Sequence, residues 1–150
     1  MTLAALALVL IQAALGMTVN LYVTIPAHHP GASPANYFGG SASSVGWAIT
    51  HGAIALAIHA TFGLGLVLMV IDVAVRSFRV PSRAVRTLSV LAALLVIGAG
   101  FNGASFLDFN KNASSLIMAL LAFAAIACYA IVLFLLPGRQ AAPFVAGDGS

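Results

Sequence analysis

The residues best equipped for chemistry in this chain are its four histidines, His28, His29, His51 and His59. Imidazole ligates haem iron, copper and zinc, and it is the side chain that most readily changes charge near neutral pH. The surroundings offer few competitors: six Lys/Arg and three acidic residues in 150, with Asp72, Asp108 and Asp148 as the acidic set. Polar side chains that could join the histidines are Gln12, Asn20, Asn102, Ser105 and Asp108. Gln12, Gly16 and Asn20 follow at i, i+4 and i+8, a slowly drifting stripe on a helix. On one continuous helix His51 and His59 point about 80° apart, and Asn102, Ser105 and Asp108 share an arc of about 120°.

Several chemistries are excluded by what the chain lacks. Cys128 is the one cysteine, so there is no intramolecular disulfide, no CxxC redox pair and no CxxCH haem attachment. Ser105, His51 and Asp108 are the residue types of a nucleophilic triad, but no GxSxG elbow accompanies them, which speaks against a stand-alone hydrolase. A haem b or a copper or zinc ion in membrane electron transfer is the leading expectation, with His51, His59 and Asn102 as cofactor-binding residues and His51, His59, His28 and His29 as metal ligands. Bis-histidine ligation would need His28 or His29 to fold inward, or a second protomer, because the two span histidines fall on one expected helix.

The elements that must position these residues follow from composition. The chain is 62% hydrophobic and 6% charged, with a mean hydropathy of +1.10. An ordinary soluble domain is about a quarter charged. The solvent is therefore expected to be lipid, and a nucleic-acid surface is not expected. Apolar runs predict four membrane spans at about 3–24, 47–75, 85–107 and 113–136. The first ends before Pro26, and Pro137-Gly138 stops the last. Residues 26–46, rich in Gly, Pro and Ser, read as a loop, and Asp108–Asn112 as a tight link with Asn112 as helix N-cap. The fold class expected is an all-α integral membrane protein. Residues 1–138 would form one antiparallel up-and-down four-helix bundle, and 139–150 a flexible tail.

Arg76, Arg79, Arg83 and Arg86 crowd the 76–84 loop, which the positive-inside rule assigns to the cytoplasm. Both termini then lie inside, Arg139 agrees, and loops 26–46 and 108–112 face outward, as in a bacterial-type plasma membrane. In that frame His51 is about 6 Å and Asn102 about 9 Å below the outer mouth. The polar groups thus converge on an outward-facing pocket of Gln12, Asn20, Ser105 and Asp108 with the histidines. Two further readings suit this pocket: a small ion or solute channel or transporter, and an accessory or assembly subunit of a larger membrane complex. The fourth span is nearly uniform Ala, Leu, Ile and Phe, and is expected to face lipid or a second copy in a homo-oligomer. The small-residue pairs Ala99/Gly103 and Gly100/Ala104 would let a neighbouring backbone approach. The chain has no glutamate, unlike small multidrug transporters, and lacks the Thr-Thr-Phe-Ser pattern of fluoride channels.

Overall fold

The computed structural model describes residues 1–136, and the expectations for Pro137-Gly138, Arg139 and the tail fall outside them. Five helices follow in order: α1 (Thr2–Tyr22), α2 (Tyr37–His51), α3 (Ile54–Ser77), α4 (Arg83–Phe109) and α5 (Asn112–Leu135). Four of them, α1, α3, α4 and α5, are long and apolar enough to cross a membrane. The described residues contain no strand.

The expected second span is divided. Its apolar run looks continuous from Trp47 to Val75, but the chain leaves the helix at Gly52 and Ala53 and restarts at Ile54. Gly52 is extended and sits so close to Ala48 that a β-carbon would collide with the Ala48 carbonyl oxygen. Trp47 and His51 therefore belong to α2, and only His59 lies in a spanning helix. The 26–46 loop is likewise shorter than expected, because α2 begins at Tyr37. Asn36 starts it, accepting a hydrogen bond from Gly39 N at 3.1 Å, which satisfies one of the free amides of a helix start. The small residues that read as loop formers serve as contact surface: Gly40, Ser44 and Ala48, at i, i+4 and i+8, are buried.

The other boundaries agree within two residues. Ser82 caps α4, accepting from Val85 N at 3.4 Å. Helix α4 runs on to Phe109, leaving only Asn110 and Lys111 between it and α5. Asn110 closes α4 in the left-handed conformation (φ 49°), which asparagine tolerates better than most residues. Lys111, not Asn112, occupies the N-cap of α5.

Helix α1 packs against α3 and α5, and α4 also packs against α3 and α5, so the four long helices close a ring. Helix α5 is thus an integral member of the bundle, with Ala125, Tyr129 and Val132 fully buried. Its outward side exposes Leu116, Leu120, Phe123 and Phe134. The most extensive helix contact is α4–α5, where Gly98 meets Leu121 and Gly103 meets Met118. Helix α2 lies against α3 and α4 as a cap.

The core has two parts. The larger joins Ala5 and Val9 of α1 to Leu66 and Val70 of α3, Ala92 and Val96 of α4, and Ala125, Cys128 and Tyr129 of α5. The smaller gathers Val19, Ile25, Ala48, Leu56 and Leu107 beneath the cap. At the far end of α3, Arg76 pairs with Asp72 at 2.7 Å, an exposed i, i+4 ion pair.

Candidate functional site

The polar residues expected to converge on one pocket fall instead into separate, self-paired groups. The largest group fastens the cap. Asp108, 2% exposed, receives hydrogen bonds from Ser41 Oγ at 2.7 Å and Ser44 Oγ at 2.6 Å. Its main-chain carbonyl accepts from Ser33 N at 2.8 Å. Among the described residues the ion pair is Asp72–Arg76, so Asp108 has no cationic partner in contact. Burying a carboxylate is costly unless its oxygens are hydrogen-bonded, and here both are. Ser41 and Ser44, at i and i+3, reach it because α2 turns one face toward the end of α4. Ser105, one helical turn earlier, meets Tyr37: the two hydroxyls are 2.8 Å apart, and Tyr37 OH donates to Phe101 O at 3.1 Å.

Backbone shape completes the cap. Gly31 has φ +91°, a conformation open to glycine at little cost, and Ser33 takes φ 49°. A β-carbon at Gly31 would strike Ser44 Oγ and the Gly40 carbonyl, and one at Gly40 would strike the Pro34 ring. The His29 ring stacks on Trp47, with centroids 4.4 Å apart and planes 17° from parallel. Its Nδ1 lies 3.0 Å from Pro30 O and its Nε2 lies 3.2 Å from Leu107 O.

A second group lies between α1 and α3. Gln12 Nε2 donates to His59 O at 3.1 Å and sits 3.4 Å from His59 Nε2. The pair is boxed by glycines: a β-carbon at Gly16 would lie 3.0 Å from His59 Cε1, and one at Gly63 would lie 2.8 Å from Gln12 Nε2. Gln12 Oε1 and His59 Nδ1 are buried without a partner, as is Tyr129 OH. An amide N–H directed at Nε2 makes that nitrogen the acceptor, so the ring proton sits on Nδ1.

The remaining candidates stand apart. His51 is exposed and lies 2.7 Å from Thr50 Oγ1 on its own helix, and does not share a helix with His59. His28 is exposed in the segment before α2. Asn102, expected to bind a cofactor with His51 and His59, donates to Gly98 O at 2.9 Å within α4. Asn20 is exposed and accepts from Ser115 Oγ at 3.1 Å. Among the described residues no three His, Cys, Asp or Glu side chains come together as a metal site.

Haem fits this arrangement poorly. His59 is the one imidazole in the long helices, its Nε2 faces Gln12, and its ring lies against Gly16, where a macrocycle would have to enter. His29, the other partly buried imidazole, has a carbonyl oxygen opposite each ring nitrogen. Ser41, Ser44 and the packing role of Trp47 escaped sequence reasoning. Their available signal was Asn36 three residues before Gly39, a helix start, followed by small residues at helical spacing.

The Gln12–His59 pair makes a measurable prediction. Gln12→Leu or His59→Leu alone should each lower stability by about 1–3 kcal/mol, because the remaining polar group loses its partner. The double Leu variant should be less destabilised than the sum, by about 1 kcal/mol. Cys128 is buried in the core, so thermal unfolding followed by thiol labelling reads this directly. Strict additivity would show that the two side chains are not coupled.

No protein-family model matches the chain, and neither a curated protein nor a solved structure shows significant similarity to it.

Proposed function

We propose that the chain is an accessory or assembly subunit of a larger membrane complex, with the α2 cap as its recognition platform. One observation carries this reading: the polar groups of the cap bind one another. Asp108 holds Ser41, Ser44 and Ser33, and Tyr37 holds Ser105. Such a network fixes a shape and leaves few free polar groups for a small ligand.

Topology supports an outward placement of the platform. The larger core joins the start of α1 to the end of α3, the start of α4 and the end of α5, the pattern of helices alternating in direction. Arg76, Arg79, Arg83 and Arg86 then lie at the end opposite the cap. The positive-inside rule assigns that end and both termini to the cytoplasm and the cap to the outer side.

Native mass spectrometry of protein extracted from its own membrane in mild detergent tests the proposal. A second chain in fixed stoichiometry is expected, and it should be lost from Asp108→Ala protein whose bundle remains folded. Self-associated chains with no second protein and with a Soret band would overturn the proposal in favour of electron transfer, with a haem held between copies.

Solute or proton conduction is a second reading, favoured by the orphaned Gln12 Oε1 and His59 Nδ1. A buried donor and a buried acceptor at one interface suit a bridging water. Flux in liposomes that disappears in His59→Leu would establish it.

A further inference from the structure

His29 has a carbonyl oxygen opposite each ring nitrogen, and a neutral imidazole has only one N–H. Either neutral tautomer therefore sets a nitrogen lone pair against a carbonyl oxygen. Only the imidazolium donates to both. The two acceptors belong to different elements: Pro30 O is local, whereas Leu107 O lies in the last turn of α4. The C-terminal end of a helix attracts positive charge, and the stacked indole of Trp47 offers a π face to a cation. The carboxylate of Asp108, next in sequence to Leu107, is buried with no cation in contact.

We propose that His29 is a proton-operated latch that, as imidazolium, joins the segment before α2 to the end of α4, and that loses one of its two hydrogen bonds on deprotonation. The latch rests on the contacts of His29 alone; only its regulatory meaning, controlled presentation of the cap, depends on the proposed platform role. Other titratable groups on the elements packed here are Asp108 and Lys111 at the end of α4, His28 beside the latch, and Tyr37 and His51 on α2. His51 matters most as a control, because it follows Trp47 by four residues and so lies on the same side of α2.

Sign follows from the donor count. The imidazolium makes two bonds and the neutral ring one, so the latch is strongest when His29 is protonated and weakens as pH rises.

Trp47 is the chain's one tryptophan, so its emission reports the stack without ambiguity. The whole protein in nanodiscs should show a single sigmoidal rise in emission as pH is raised and the quenching imidazolium is lost. His29→Phe keeps a stacked ring but donates nothing. It should abolish the rise and hold residues 27–36 at the low hydrogen-exchange protection of the high-pH wild type, after correction for intrinsic exchange rates. His29→Gln should also be flat with pH. His28→Ala and His51→Ala should leave the transition in place. A flat wild-type profile, a rise that survives in His29→Phe, or a rise lost in His51→Ala would overturn the latch. Absence of a partner chain in the mass spectrum would leave this result untouched and would count only against the platform.

Discussion

Asp108→Ala should release the cap while leaving the bundle assembled. The substitution strips Ser41 and Ser44 of the acceptor they share and leaves two hydroxyls facing a void in a site only 2% exposed. Hydrogen bonds to a charged group are worth about 1.5–3 kcal/mol each, so a loss of about 3 kcal/mol in the local stability of the cap is expected. The effect should be local because the core is divided. Cys128 belongs to the larger cluster, while Trp47 packs on the smaller one under the cap. On heating, Trp47 emission should shift to the red well before Cys128 becomes reactive, whereas in the wild type the two transitions should lie closer together. Asp108→Asn keeps the shape, and a hydroxyl can rotate to accept from the new amide, so about 1 kcal/mol is expected. Coincident wild-type-like transitions in Asp108→Ala would show that the carboxylate does not hold the cap.

Gly31→Ala should be at least as damaging, for a different reason. The new methyl would meet Ser44 Oγ and the Gly40 carbonyl at distances no real β-carbon adopts, and the positive φ adds backbone strain. Overpacking costs about 1–3 kcal/mol, and the disfavoured backbone region adds about 1 kcal/mol or more. Relief requires Ser44 to move off Asp108, so the damage feeds into the same network. The double variant Gly31→Ala/Asp108→Ala should therefore be less destabilised than the sum of its parts. Gly46 supplies the control within α2, since a β-carbon there would meet nothing within 4 Å. Gly46→Ala should be neutral or stabilising by up to about 1 kcal/mol, as expected for a helix interior. Trp47 emission melting distinguishes the variants, and equal behaviour of Gly31→Ala and Gly46→Ala would refute the close-packing argument.

The long helices were legible because hydropathy alone separates them. Long apolar runs broken by Pro26, the arginine-rich link and Asn110-Lys111 leave little choice. The cap was not legible, for two physical reasons. Gly39, Gly40, Ser41, Ser43 and Ser44 have weak helix propensity, and the helix they form is held by Gly40 against Pro34 and by Ser41 and Ser44 on Asp108. The apolar residues on both sides of Gly52 also mask a break at one extended glycine. Missing that break placed His51 on the same helix as His59. Side-chain pairing was beyond reach for a related reason. Gln12 meets His59, and Asn102 turns back on its own helix, according to the rotation of each helix about its axis. Small changes in that rotation exchange one partner for another, and apolar helices with no strongly polar side define it weakly.

The ring of long helices also fixes an order of events. Helices α4 and α5 are joined by two residues and share the most extensive contact, so they can associate as a hairpin as soon as both are made. Helix α1 has the opposite situation. Among the five described helices it precedes both of its neighbours, α3 and α5, and α5 comes at the far end of that order. Gln12 of α1 has no partner until α3 presents His59, and the remaining side of α1 stays open until α5 arrives. Three of the four contacts in the ring can therefore form in the order of synthesis, and the one that seals it joins α1 to α5.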